Sequence, residues 1–217
     1  MPTDFEILRN IYNSFDPFEP LPAGDPVYVN CSQVRGEENI LVDVGRQITY
    51  ADRITHQLYT GHRGAGKSTE LLRLQANLEE KGYRVVYFAA EESDIDPEDV
   101  QYTDILLACT RNLLNALKGN ETPIKSWLRS RKTELMDALQ SEVGFGDEIG
   151  VDVPFAKLTT TLKVSPTARA QIRKIVEPHT PSLIDALNAF IAEAMQQTTE
   201  KLVLIVDSLD RIPPIKR

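Results

Sequence analysis

Residues 61–68 read Gly61-His62-Arg63-Gly64-Ala65-Gly66-Lys67-Ser68 and satisfy the pattern G-x-x-x-x-G-K-[ST]. Random composition would give this pattern in roughly one chain in a hundred of this length. The flanking residues strengthen the signal, because residues 57–60 predict a short strand and residues 68–81 predict a helix. A glycine-rich turn between a strand and a helix lets backbone N–H groups curl around phosphate oxygens, and the helix dipole adds favourable potential. The stretch therefore predicts a phosphate-binding loop.

Most positions of this loop have an expected role. Lys67 would reach the β and γ phosphates of a nucleotide as a mobile charge, and the Ser68 hydroxyl would be a magnesium ligand. Thr69 is a candidate contact for the α phosphate, whereas His62 and Arg63 occupy variable positions whose side chains face solvent. The glycines supply the backbone shape. The alternative interpretation is a glycine-rich turn with a solvated lysine, which the flanking strand and helix disfavour.

The residues after the loop predict a βαβ unit. Helix 68–81 carries leucines on one face, Gly82 is placed to end it, and residues 84–90 form a nearly continuous apolar run. Because parallel strands need such a crossover, we expect an α/β fold with a parallel sheet covered by helices. Residues 103–117 and 181–197 predict further helices, and residues 201–206 predict the most deeply buried strand.

The rest of the chain is organised around this unit. Residues 1–50 contain several prolines and short apolar pieces, and they predict an N-terminal arm. Residues 51–217 would form the nucleotide-binding domain, with an inserted helical and β-hairpin subdomain at about residues 119–178. The stretch 91–100 carries six acids, but Asp96-Pro97-Glu98-Asp99 is a good helix-entry sequence. We therefore expect a solvated loop and cap here and no metal site.

A carboxylate is expected at the end of a buried strand, because magnesium needs an acidic ligand facing the phosphates at the carboxyl edge of the sheet. The apolar run 202–206 ends at Asp207, which would hold the metal through water. Asp210 could orient or deprotonate an attacking water. For both residues the alternative is an aspartate that caps the next turn. The expected ligands are ATP and Mg²⁺, with Ser68 and Asp207 on the metal.

Composition excludes several classes of function. A formal net charge of −8 repels a phosphate backbone, so direct nucleic-acid binding is not expected. The longest aliphatic run, 202–206, is far too short to span a membrane, and the first ten residues carry acids where a signal peptide has basic residues. Cys31 and Cys109 are far apart and have no Cys or His at ligand spacing, which argues against a disulfide or a zinc site. We expect a cytoplasmic protein without a membrane segment.

Residues 61–69 and 202–211 together resemble the Walker A and Walker B elements of the STAND branch of AAA-like P-loop ATPases, including NACHT-type proteins. The resemblance lies in the motifs and covers residues 57–211 in order. Its most specific point is Asp207-Ser208-Leu209-Asp210, which is similar to the family's D-G-L-D or D-D-L-D after a hydrophobic run. Ser208 departs from the usual residue and stands where many AAA proteins carry a catalytic glutamate. The resemblance implies that the chain binds ATP and that Asp210 takes the catalytic role.

The resemblance also implies that the sheet is incomplete after the Walker B strand. In that family a later strand inserts between the Walker A and Walker B strands, and only seven residues follow Asp210. The sensor residues, the arginine finger and the helical lid would lie further downstream. The chain therefore looks like the N-terminal part of an NTPase domain, and an exposed internal sheet edge favours association.

These features give three hypotheses. The first is an ATP-dependent switch in signalling or defence, as the resemblance implies, whose state is read by an effector, a protein partner or self-association. The alternative is a small-molecule or nucleotide kinase, in which residues 119–178 would bind the acceptor. The third is a scaffold that binds ATP without hydrolysing it. A GTPase and an ABC transporter subunit are disfavoured, because the sequence has no N-K-x-D and no L-S-G-G-Q motif.

Overall fold

Helices and one small parallel sheet make up the part of the chain that a computed structural model describes. The described residues are 3–13, 19–35, 39–90, 95–96, 99–117, 121–131, 133–135, 166–196 and 198–209. The fold class is mixed α/β, as predicted. The chain divides into two compact units, Met1–Lys81 (unit 1) and Gly82–Arg217 (unit 2).

The helices and strands of the two units follow one another along the chain. Unit 1 contains α1 (Asp4–Asn13), a 3₁₀ turn (Ser32–Arg35), α2 (Ile40–Tyr50) and α3 (Lys67–Glu80). Unit 2 contains β1 (Tyr83–Ala89), α4 (Tyr102–Ala116), α5 (Thr122–Arg129), α6 (Pro166–Val176), a second 3₁₀ turn (Glu177–His179), α7 (Thr180–Gln196) and β2 (Lys201–Asp207). None of the helices within the described ranges is long and apolar enough to cross a membrane.

Unit 1 is built on the packing of α2 against α3. A glycine in α2 permits the close approach, because a Cβ at Gly45 would lie 3.3 Å from Leu74 Cδ1. Leu74 and Leu78 are buried on the face of α3 that the leucine periodicity predicted. Helix α3 ends at Glu80, and Gly82 follows with φ +81°, the left-handed conformation that stops a helix.

The prediction of a strand at residues 57–60, before the loop, is wrong. Residues 57–60 form no regular secondary structure, and the Leu58 side chain is 86% exposed. Apolar residues and position relative to the glycines suggested the strand, but a strand also needs a neighbour that completes its backbone hydrogen bonds. The local sequence pattern does not show whether such a neighbouring strand exists.

The sheet of unit 2 pairs β1 with β2 in parallel. The register runs from Tyr83 opposite Lys201 to Ala89 opposite Asp207. Both strands agree with the sequence prediction to within one residue at each end. Because paired strands end together, Asp207 lies at the carboxyl end of the sheet.

Two apolar clusters form the core of unit 2. The larger one packs α4, α5, α6 and α7 around Phe190 and Ile172, and Val86 of β1 joins it. The smaller one packs Phe88 and Ala90 against Ile95 and Ala108. Trp127 of α5 donates its indole N–H to the Ser182 hydroxyl of α7 at 3.0 Å, which satisfies the polar atom of a buried aromatic side chain.

A charge network corrects only part of the prediction of a solvated loop at residues 91–100, because Asp96 and Asp99 pair with buried arginines while the Asp99 side chain stays 55% exposed. Arg169 of α6 is 2% exposed and contacts Asp96 at 2.6 Å and Asp99 at 3.1 Å. Arg173 pairs with Asp99 and with Asp104 of α4. Burial opposes the charge of Arg173, but the hydrogen bonds and charges of Asp104 and Asp99 outweigh it and raise the pKa of the guanidinium.

The predicted helix entry at residues 96–99 is also wrong. Helix α4 begins at Tyr102, and its N-cap is Gln101, whose backbone N–H is bound by the Asp104 carboxylate at 2.8 Å. The two aspartates of the predicted entry face arginines instead of a helix end. Within the predicted insertion, α5, all of α6 and the start of the following 3₁₀ turn are described. The predicted turn at 144–146 and the predicted strand at 151–164 lie outside the described residues.

Candidate functional site

Two glycines of the loop 61–68 have a backbone conformation that glycine adopts most readily. Gly64 has φ +78° and Gly66 has φ +75°, and both values lie in the left-handed region that side chains disfavour. Gly66 is the N-cap of α3 and provides no side-chain cap. The start of α3 therefore points its backbone N–H groups and its positive dipole end toward the loop.

Lys67 folds back over the loop that precedes it. Its Nζ atom donates to the carbonyl oxygens of Gly61 at 3.0 Å and His62 at 3.1 Å. The Ala65 N–H also donates to the His62 carbonyl, at 3.2 Å. These contacts bring the ammonium group and the turn together, while the side chains of His62 and Arg63 are exposed as predicted.

The first turn of α3 is tied to the N-terminal arm. The Thr69 hydroxyl accepts a hydrogen bond from the Leu21 N–H at 3.1 Å, and it retains its own O–H as a donor. Glu70 is 5% exposed and accepts hydrogen bonds from the Tyr28 hydroxyl and from Arg73. The Arg73 guanidinium also lies 4.3 Å from the centre of the Tyr28 ring.

Sequence reasoning did not find these arm contacts. The usable signal was the pair Glu70 and Arg73, three residues apart on one helix, since a buried carboxylate needs a partner. Tyr28 lies 42 residues before Glu70, and only the fold brings them together.

Asp207 is buried at the end of β2, with 5% of its surface exposed. Its Oδ2 atom accepts a hydrogen bond from the Tyr87 hydroxyl at 2.7 Å. Its Oδ1 atom accepts one from the Ser208 backbone N–H at 2.6 Å. The carboxylate is therefore fixed at both oxygens, and each oxygen keeps acceptor capacity.

Ser208 has φ +62°, the single non-glycine residue with positive φ in the described ranges. This conformation suits glycine, and aspartate adopts it more readily than most residues. Strained backbone of this kind concentrates at functional sites.

The predicted site residues fall in both units. Positions 61–69 belong to unit 1, and Asp207 belongs to unit 2. Asp210 lies outside the described residues. In the part of the chain that the structure describes, no three His, Cys, Asp or Glu side chains form a group that could hold a metal ion.

Comparison with known proteins gives no relative. No protein-family model, no curated protein and no solved structure matches the chain.

Proposed function

We propose that the chain is an ATP-binding P-loop NTPase module and the ATPase part of a STAND-like switch. The observation that supports this most strongly is the loop 61–68, in which left-handed Gly64 and Gly66 open α3 and Lys67 lies over the turn. A helix N-terminus, consecutive backbone N–H groups and a mobile ammonium group favour a bound polyphosphate. The motif-level resemblance to STAND ATPases supports the same assignment.

The first three residues of α3 each have a task in this proposal. Lys67 exchanges its two carbonyl acceptors for phosphate oxygens, which are charged and therefore stronger acceptors. Ser68 offers its hydroxyl to a metal ion, and Thr69 donates its O–H to a phosphate while its oxygen stays bound to Leu21. In this proposal, these three side chains orient the nucleotide.

Asp207 fits the role of a magnesium ligand through water. It is an oxygen donor at a strand end, as Mg²⁺ prefers, and its two oxygens are already bound by hydrogen-bond donors. Bound Mg²⁺ would neutralise phosphate charge and polarise the phosphoryl group. Asp210 is proposed as the residue that orients the attacking water, on the resemblance alone.

The proposed activity is slow ATP hydrolysis that resets a conformational switch. A signalling or defence role and an effector or self-association that reads the state belong to the same proposal and rest on the resemblance. A cytoplasmic location is proposed as well, on the sequence features of the N-terminus and the cysteines. Neither a nucleic-acid ligand nor a membrane attachment is part of it.

Calorimetric titration with magnesium-ATP and magnesium-GTP tests the proposal. We expect selective ATP binding by the wild-type chain. Lys67→Ala should weaken it by roughly 100-fold, because charge-assisted hydrogen bonds to phosphate are lost. Lys81→Ala is the matched control, since Lys81 is an exposed lysine at the other end of the same helix.

The outcomes separate the alternatives. Equal ATP affinity in Lys67→Ala and wild type would remove the phosphate-binding role of the loop. A phosphate-release assay in the same buffer then tests hydrolysis, and Asp210→Asn should slow release and spare affinity. Rapid turnover only after addition of a small acceptor would favour the kinase hypothesis.

A further inference from the structure

Tyr87 and Asp207 lie on the same face of the pair β1–β2. Asp207 is the register partner of Ala89, and Tyr87 precedes Ala89 by two residues, so both side chains project from one side of the sheet. The phenol is long enough to span this diagonal, and its O–H reaches Asp207 Oδ2 at 2.7 Å. A shorter polar side chain at position 87 would not make this contact.

The two donors on Asp207 act on different oxygens. Tyr87 binds Oδ2 and the Ser208 N–H binds Oδ1, so the carboxylate plane is defined at both ends. The group is also buried, which limits rotation and strengthens both hydrogen bonds. Its remaining lone pairs therefore point in fixed directions.

We propose that Tyr87 is a positioning residue for the magnesium-binding role of Asp207. This inference rests on the proposed function and adds to it a residue that acts through the carboxylate without touching the nucleotide. The Tyr87 hydroxyl orients the Asp207 carboxylate and uses one lone pair of Oδ2. The remaining lone pairs of the carboxylate can accept hydrogen bonds from metal-bound water. Residues that orient a ligand in this way commonly change metal affinity by about 10- to 100-fold when they are replaced.

The variant Tyr87→Phe tests the inference, with Tyr83→Phe as its control. Tyr83 lies at the opposite end of the same strand, where its register partner is Lys201. Calorimetry gives the ATP affinity of each protein in chelator and at increasing Mg²⁺ concentration. The decisive quantity is the ratio of the affinity at saturating Mg²⁺ to the affinity in chelator.

We expect Tyr87→Phe to lower this ratio by about 10-fold and to leave the affinity in chelator unchanged. Tyr83→Phe should match the wild type in both values. A role of Tyr87 in folding alone would lower the unfolding midpoint and leave the ratio unaltered.

An unaltered ratio in a Tyr87→Phe protein that binds ATP overturns this inference and leaves the proposed function intact. Absence of ATP binding by the wild type overturns both. If Tyr87→Phe does not fold, Tyr87→Gln replaces it, because its side chain is polar but too short to reach Asp207 Oδ2. A lower ratio in Tyr87→Gln supports the inference, and an unchanged ratio overturns it.

Discussion

The two units differ in the size of their apolar cores. In unit 1, the buried apolar side chains within the described ranges are Ile40, Leu74 and Leu78, and the loop and arm are fixed mainly by hydrogen bonds at partly exposed positions. Unit 2 has two apolar clusters and buries Asp207. Regions with little apolar burial open more easily than packed cores. We therefore expect the loop of unit 1 to open more easily than the end of β2 in unit 2.

The largest predicted loss of stability comes from breaking an arginine–carboxylate pair in unit 2, and the matching substitution in unit 1 should cost less. Arg173→Leu leaves Asp104, which is 4% exposed, without its cation, and should lower the free energy of unfolding by about 3–5 kcal/mol. Arg73→Leu in unit 1 should cost about 1 kcal/mol, because the Arg73 side chain is 20% exposed and Glu70 keeps the Tyr28 hydroxyl. Urea denaturation measures both values.

Lys174→Leu is the control for Arg173→Leu, since Lys174 is its exposed neighbour on the same helix. It should leave the unfolding free energy nearly unchanged. Similar losses in Arg73→Leu and Arg173→Leu would contradict the difference between the units.

The two thiols sharpen the comparison, because each unit carries one. Burial raises the pKa of the Cys109 thiol to about 11. Since the thiolate is the reactive form, Cys109 in Cys31→Ser protein should react with a thiol reagent at pH 8 roughly 100-fold more slowly than in the urea-unfolded chain. Cys31, in Cys109→Ser protein, should show a smaller difference. Equal protection of the two thiols would argue against a looser unit 1.

The raised pKa also gives a pH dependence. The folded protein holds the Cys109 proton more tightly than the unfolded chain, so its contribution to stability is complete below the unfolded pKa. The contribution is lost as the pH rises through about 11. Denaturation at pH 8 and pH 10.5 should therefore show a larger alkaline loss in Cys31→Ser protein than in Cys109→Ser protein.

A smaller effect than that of Arg173→Leu is expected at two glycines of one loop. Gly64→Ala forces a side chain into the left-handed region and should lower the free energy of unfolding by about 1–2 kcal/mol. It should also weaken ATP binding. Gly61→Ala is its matched control, because Gly61 lacks a positive φ and an added Cβ would meet only Lys67 side-chain atoms at 3.7 Å or more. Thermal unfolding and calorimetry measure the two effects, and equal losses would show that φ at Gly64 is unimportant.

Periodicity and turn residues were sufficient for five of the described elements, three helices and two strands. The predicted helices at 68–81, 103–117 and 181–197 match α3, α4 and α7 to within one residue at each end. The same holds for the two strands. These segments have a dominant apolar face, and local signals such as Gly82 mark a helix end.

Contacts between distant residues could not be predicted in this way. The local sequence gives the acids at 96 and 99 no partner, and the fold of α6 brings Arg169 and Arg173 to them. Leu21 and Tyr28 belong to an arm that local sequence leaves without a partner. Tyr87 looks like an ordinary strand aromatic, and its role depends on the register that sets it beside Asp207.

The pairing of β1 with β2 has a consequence for synthesis of the chain. Tyr87 and Asp207 are separated by 120 positions. At 5–20 residues per second, the ribosome needs roughly 6–24 s to extend the chain from one to the other. The glycine-rich loop and the phenol are thus exposed to solvent well before the acid exists. A nascent chain can form the loop early, but the charge at the strand end is among the last groups of the proposed site to be put in place.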